Sequence, residues 1–384
     1  MTAKEKMTAP IASVGADVEQ PLSNKLTNQS IADLPGKGNL QATNNAENTA
    51  KSANKKNPDD LETVSMMELY DTAYPPKLPI IDGLLYNGTY LFVGSPKIGK
   101  SFFMAQIGYH ISKGLPLWGF SVRQGTVLYL ALEDDYARLQ RRLSGMFGIE
   151  CADNLYFATQ AKTLNEGLDR QLEGFLKERK DARLIIIDTL QKVREVGGDR
   201  YSYSSDYEIV TKLKSFSDKY GICLLVVHHT RKLESEDSFD MISGTNGLLG
   251  AADGPFIMHK KKRTDNEAVM DIVGRDQPDQ ELTIEFDRER CVWKFKKAET
   301  ELWKQPPNPL LEAINVFLTE DRQAWEGTAT ELVKQLPDIQ IQANVLSRRL
   351  NTVNSQLLND YGIFYDNKRG HERKIILKRL EVKE

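Results

Sequence analysis

Cysteine is scarce: 384 residues contain three, Cys151, Cys223 and Cys291, with no C-x-x-C spacing among them. An odd, scattered set excludes a disulfide framework and a cysteine metal site, and predicts a reducing, cytoplasmic setting. Long apolar runs are also missing. No stretch approaches the roughly twenty residues that a membrane span needs, and the first residues lack the apolar core of an export signal, so no membrane partner is expected. Neither charge sign dominates. With 51 basic and 54 acidic residues the net charge is −3, which excludes a basic coat and leaves nucleic-acid contact to local patches. Aromatic residues are absent from residues 1–58, a segment rich in Ala, Asn, Ser, Thr, Lys and Gln. Such a stretch buries too little apolar surface to offset its ordering entropy, and a disordered tail is expected there.

Beyond the tail, over residues 59–304, short apolar runs alternate with longer amphipathic ones. That alternation predicts an α/β domain with a mostly parallel central sheet and helices on both faces. The expected strands are 90–93, 127–132, 155–158, 184–187 and 223–227, whose Val, Ile and Leu content suits burial on both sides. Runs at 256–260, 268–273, 282–287 and 291–296 read as an antiparallel extension, with Asp287 and Arg288 at a turn. Residues 305–309, Q-P-P-N-P, form a stiff linker. After it, at 310–384, helices are expected at 310–319, 330–336 and 343–361, and a hairpin at 363–365 and 374–377. That order is the one of a small winged helix-turn-helix domain.

The strongest motif is Gly94, Ser95, Pro96, Lys97, Ile98, Gly99, Lys100, Ser101, a full match to G-x-x-x-x-G-K-[ST]. An apolar strand precedes it and a helix pattern follows, the context of a phosphate-binding loop. Loop amides and the positive helix end would surround a polyanion, Lys100 would reach the outer phosphates, and the Ser101 hydroxyl would serve Mg²⁺. The chain is therefore expected to bind ATP and Mg²⁺. The loop alone allows a kinase, a GTPase or a motor, although no guanine-reading Asn-Lys-x-Asp is present.

Three further groups carry chemistry. Leu184-Ile185-Ile186-Ile187-Asp188 is an apolar strand ending in an acid, which suits Asp188 to holding Mg²⁺ beside Ser101; an N-cap role before Thr189 is the alternative. Glu133-Asp134-Asp135 follows a strand expected beside the phosphate loop. Glu133 is the candidate to polarise the attacking water, and Asp134 or Asp135 the candidate helix cap. Strand 223–227 runs into His228-His229. His229 is the candidate γ-phosphate sensor and His228 reads equally as a hydrogen-bonded core residue.

In this order the motifs resemble the RecA-type ATPases. They are most similar to the branch of the hexameric replicative helicases of broad-host-range plasmids and related ATPases of mobile elements. P-K-x-G-K-S, then Glu133-Asp134, Arg138 to Leu143, His228-His229 and Gly274-Arg275-Asp276 carry the resemblance, over about residues 80–287. It implies self-association to a ring, a hexamer in that branch, with single-stranded DNA in the pore and a basic finger reaching into the neighbour's site. Finger candidates here are Lys260, Lys262, Arg263 and Arg275, and a solvated basic hairpin is the alternative. This chain departs from the branch at Asp253-Gly254-Pro255-Phe256, so register does not assign the finger. The polar loop of residues 234–247 is the pore candidate by the same analogy.

The C-terminal part adds a local basic face. Arg348 and Arg349 on the third helix, and Lys368, Arg369, Arg373 and Lys374 in the hairpin, are candidates for contact with duplex DNA phosphates. Protein docking is the other use of such a domain. The expected function is an ATP-hydrolysing, DNA-directed motor, a replicative or initiator-type helicase of a mobile element. The alternatives are an ATP-switched DNA-binding regulator or loader and a recombinase filament.

Overall fold

The computed structural model describes residues 61, 63–76, 78–194, 203–229, 246–262, 264–275, 279–299, 308–319, 321–368 and 373–380. The tail expected over 1–58, most of the pore-loop candidate and residues 305–307 of the linker lie outside these.

Alternation of side chains along fully buried strands builds the core. In β1 (Gly88–Gly94) every residue is buried. Tyr90 and Phe92 face one layer, with Phe103, Met104 and Ile107 of α2 (Lys100–Lys113) and Leu139 of α3 (Tyr136–Phe147). Leu91 and Val93 face the other. There they meet α4 (Leu168–Glu178), α5 (Leu190–Val193), α6 (Tyr203–Tyr220) and α7 (Asn246–Ala251). The same split runs through β2 (Thr126–Ala131), β4 (Ala182–Asp188) and β5 (Cys223–His229). A period of two with both phases apolar is what a sheet covered on both faces requires.

With β3 (Leu155–Ala158), β6 (Gly254–His259), β7 (Glu267–Ile272), β8 (Gln280–Asp287) and β9 (Val292–Glu299), these strands form one nine-stranded sheet. Its order is β3-β2-β4-β5-β1-β6-β7-β8-β9. The expected α/β class with a mostly parallel sheet is found. Two expectations are corrected. The strand leading to Glu133, β2, is not beside β1, because β4 and β5 lie between them. And β6 pairs parallel with β1, so only β7, β8 and β9 form the antiparallel extension. Both strand tips that flank the phosphate loop thus come from the parallel set.

The C-terminal unit contains α8 (Pro309–Phe317), β10 (Ala324–Gly327), α9 (Ala329–Gln335), α10 (Ala343–Tyr361), β11 (Ile363–Lys368) and β12 (Lys374–Arg379). Asn308 caps α8, Thr328 and Glu331 form a capping box on α9, and Gly362 at φ +64° ends α10. The helices sit near their expected places, but β10 has no counterpart in the sequence reading. It adds to the hairpin in the order β10-β12-β11.

A short helix from the other end of the chain, α1 (Met66–Asp71), packs on this unit. Buried Asn351 and Asn354 of α10 donate side-chain N–H groups to the carbonyls of Tyr70 (2.8 Å) and Tyr74 (2.5 Å). Ala73 packs against the core of the C-terminal unit, and Leu78 clusters with Leu358, Phe364 and Leu380. Among the described residues no helix is long and apolar enough to cross a membrane.

Candidate nucleotide-binding site

The site forms where β1 ends and α2 begins. Gly99 is the N-cap of α2 at φ +109°, and among the described residues no side chain caps the helix or places an acid in its first turn. The amides of that turn are left for an external anion. Gly94 has no room for a side chain, since a Cβ would stand 2.8 Å from the Met258 carbonyl of neighbouring β6.

Lys100 is 6% exposed, and its Nζ makes three contacts. It donates to the carbonyls of Gly94 (2.6 Å) and Ser95 (3.0 Å) and lies 3.1 Å from His229 Nδ1. Burial pulls the lysine down to about 8, against the attraction of Asp188 and Glu133. An ammonium can only donate, so His229 Nδ1 accepts and the ring proton sits on Nε2. That nitrogen faces Glu133 Oε1 at 4.0 Å. Burial, then the Lys100 charge, lowers the His229 pKa, which keeps the ring neutral.

Asp188, at the tip of β4, is 4% exposed. Its Oδ2 accepts from Ser101 Oγ and Tyr129 OH, each at 2.8 Å. Burial raises its pKa, and the two hydroxyl donors oppose the rise. Thr189 Oγ1 donates to Glu133 Oε1 at 3.3 Å, bringing the tips of β2 and β4 together. The donor set fits Mg²⁺. Ser101 and Asp188 offer hard oxygens side by side, and this ion takes one or two such protein groups with the rest from water and phosphate. No cluster of three or more His, Cys, Asp or Glu suited to a metal occurs among the described residues, so these offer no all-protein cage.

Glycine-rich loop, bonded lysine, buried acid and strand-tip histidine thus converge at one end of a parallel sheet. Residues 56–235 match the family described as AAA domain. The AAA domain match spans the loop, Glu133, Asp188 and His229 and stops before Lys260. No curated protein sequence matches the chain. Solved structures similar to it include one described as an ATPase domain, at 13% identity and TM-score 0.47, covering 55% of this chain and 85% of that one. Another is a DnaB-like replicative helicase described with its interactions with primase, at 14% identity and TM-score 0.46, covering 56% of this chain. This chain spans 58% of that second structure, less than two thirds of its length.

Around this site, the remaining candidates fall differently. Asp135, not Asp134, caps α3, while Asp134 pairs with Arg142 (2.6 Å) and Arg138 (3.3 Å). His228 is buried. Lys260 does not project freely, because it donates to the Asp265 carbonyl at 2.8 Å and lies 5.4 Å over the Trp293 ring. Arg275 donates to the Gly250 carbonyl at 3.0 Å. Lys262 is exposed, with its backbone N–H held by Asp265. Arg263 and Arg369 lie outside the described residues.

On the basic face, Asp71 binds Arg348 (2.8 Å) and Arg373 (3.3 Å), and Glu326 binds Lys374 (3.0 Å). Arg349 and Lys368 are exposed. Asp71 lies 277 residues before Arg348, so the basic pattern of the C-terminal residues gave no sign of it. Nor does any motif speak for Tyr129, although alternation along β2 puts it on the same face as Phe92.

Proposed function

We propose that this chain is an ATP-hydrolysing, DNA-directed motor of the RecA type, a replicative or initiator-type helicase of a mobile element. The carrying observation is the bonding of Lys100: each of its three N–H donors is already met by a group of the loop or by His229. A triphosphate entering the loop would be held by the free amides of α2 and would take Lys100 from at least one of those partners. If the displaced partner is His229, the imidazole is released at the moment the γ-phosphate arrives, and it rebinds Lys100 when phosphate leaves. Occupancy is thereby coupled to the tip of β5 and to the chain that follows it.

Glu133 would accept the proton of the water attacking the γ-phosphorus, as the bond to the bridging oxygen breaks. Ser101 and Asp188 would hold Mg²⁺, which supplies charge neutralisation for the phosphates when bound. Tyr129 keeps the Asp188 carboxylate oriented in its buried position.

In this reading the C-terminal unit is a winged helix, supported by its order of helices and by the β10-β12-β11 sheet. Ring assembly, as a hexamer, would bring a neighbour's basic side chain to the site. Lys262 suits that role best among the described candidates, since Lys260 and Arg275 are bonded within their own chain. An ATP-switched regulator or loader is the second reading. The Asp71 pairing favours it, because a helix that docks the chain's own segment serves protein contact.

Lys100→Ala is expected to abolish ATP hydrolysis, and full turnover in that variant would remove the loop from the mechanism. Forked-DNA strand displacement separates the two readings: DNA-stimulated hydrolysis without unwinding would favour the switch.

A further inference from the structure

The phosphate loop is backed by a side chain from far along the chain. Trp293, 194 residues after Gly99, is 1% exposed, and its Nε1 donates to the Gly99 carbonyl at 3.3 Å. That carbonyl also accepts the first helical bond of α2, from Phe103 N at 3.2 Å. Two donors on one carbonyl fix the plane of the Gly99-Lys100 peptide. In a trans peptide the N–H points opposite to the C=O, so pinning the oxygen on the helix side aims the Lys100 amide into the loop.

Trp293 is itself anchored through its backbone. Its backbone N–H donates to Gln106 Oε1 (2.8 Å), and its carbonyl accepts from Gln106 Nε2 (2.9 Å) and Trp118 Nε1 (2.7 Å). Gln106 lies on α2 itself, so β9 is bolted to the helix that carries Lys100 and Ser101. Phe286 packs on the ring at 5.0 Å and meets Phe102, next to Ser101, at 5.5 Å. A Cβ at Gly99 would stand 2.9 Å from Trp293 Cζ2. The glycine therefore satisfies both its positive φ and the closeness of the indole.

We propose that Trp293 is a positioning residue for the phosphate loop: it holds the Gly99-Lys100 peptide in the orientation that presents its amide to bound phosphate. The inference rests on the reading of the loop as an ATP site. It gives the antiparallel extension β7 to β9 a task in nucleotide binding that the loop motif does not contain.

The test compares two variants of the full chain. Trp293→Phe keeps an aromatic ring and removes the donor to Gly99. Trp118→Phe removes the other indole donor, which bonds Trp293 but does not touch the loop. ATP hydrolysis, binding of inorganic tripolyphosphate by calorimetry and melting temperature are measured for each. Loss of one such hydrogen bond predicts that Trp293→Phe raises KM for ATP by about three- to tenfold with kcat nearly unchanged, and weakens tripolyphosphate by a similar factor. Trp118→Phe should lower the melting temperature while leaving KM and tripolyphosphate affinity as in the parent.

Equal changes of KM in both variants would show a merely structural role and overturn the proposal, as would parental tripolyphosphate affinity in Trp293→Phe. Gln106 still bonds both backbone groups of Trp293 in Trp118→Phe, so the ring stays in place there. If Trp293→Phe does not fold, the proposal stands or falls on Phe286→Leu, which loosens the packing of the ring itself and should raise KM. A parent chain that binds neither ATP nor tripolyphosphate would overturn the ATP reading itself, an outcome distinct from these.

Discussion

At the phosphate loop Lys100 and Asp188 are buried and meet His229 where neighbouring strands end. On α10 and the β11–β12 hairpin Arg348, Arg373 and Lys374 lie near the surface and are met by acids from remote parts of the sequence. Lys100, Asp188 and His229 are brought together by neighbouring strands of one sheet, so their spacing follows from strand register. Arg348 and Arg373 are instead joined through Asp71, 277 and 302 residues away. The first arrangement is poised for an outside anion, because among the described residues its helix amides have no capping side chain. The second already contains an internal one, the Asp71 carboxylate.

The largest expected effect lies at the first region. Among the described residues Glu133 touches Thr189 and, at 4.0 Å, His229, so Glu133→Gln should leave the loop and its phosphate contacts in place. Removing a general base from a hydrolytic site lowers turnover by about 10²- to 10⁴-fold. Single-turnover hydrolysis should fall by that factor while ATP affinity, measured by calorimetry, is retained. Turnover within threefold of the parent would move the water-activating role elsewhere.

A smaller effect should appear in the pH dependence of ATP binding. Lys100 is held at about 8, below its ordinary value, by burial. In the empty site it is therefore charged at pH 7 and loses its proton as the pH rises through 8. Phosphates favour the ammonium, so binding above that pH takes up a proton, and affinity should fall by up to about tenfold per pH unit. Equilibrium binding between pH 7 and 9.5 at constant ionic strength measures this. A flat profile would mean that the buried lysine keeps its proton throughout.

The two regions also differ in how much the sequence discloses. Strands β4 and β5 are legible because burial on both faces leaves uninterrupted Val, Ile and Leu runs, β1 because its run is apolar and aromatic, and the loop because its backbone demands glycine at fixed places. Their left-to-right order is not legible: β2 carries Glu133 to the site from beyond β4, a pairing decided by long-range packing. Four-residue β10, Ala-Trp-Glu-Gly, has only half-buried or exposed positions and ends in glycine, so it carries no strand signal. Trp293 and Asp71 are invisible for a different reason. Each acts across about two hundred residues or more, through a contact that no local pattern encodes.

The smallest predicted effect sharpens the contrast most directly. Asp71 is held ionised below the usual carboxylate range, first by its hydrogen bond to Arg348 and also by Arg373. A carboxylate with a depressed folded-state pKa contributes its pairing above its unfolded value and loses it only as the pH falls through the folded one. The clasp is therefore complete at neutral pH. If α10 and the hairpin contact duplex phosphates, DNA must compete with Asp71 for both arginines. Partly exposed ion pairs are worth about 0.2–1 kcal/mol each, so releasing both arginines by Asp71→Asn should raise duplex affinity by roughly two- to thirtyfold. It should also steepen the fall of affinity with salt, because two more cations become available to phosphate. Fluorescence anisotropy with a labelled duplex at several salt concentrations reads both. Unchanged affinity together with a lower melting temperature would identify the Asp71 contact as the purpose of this face, and α10 as the dock for α1.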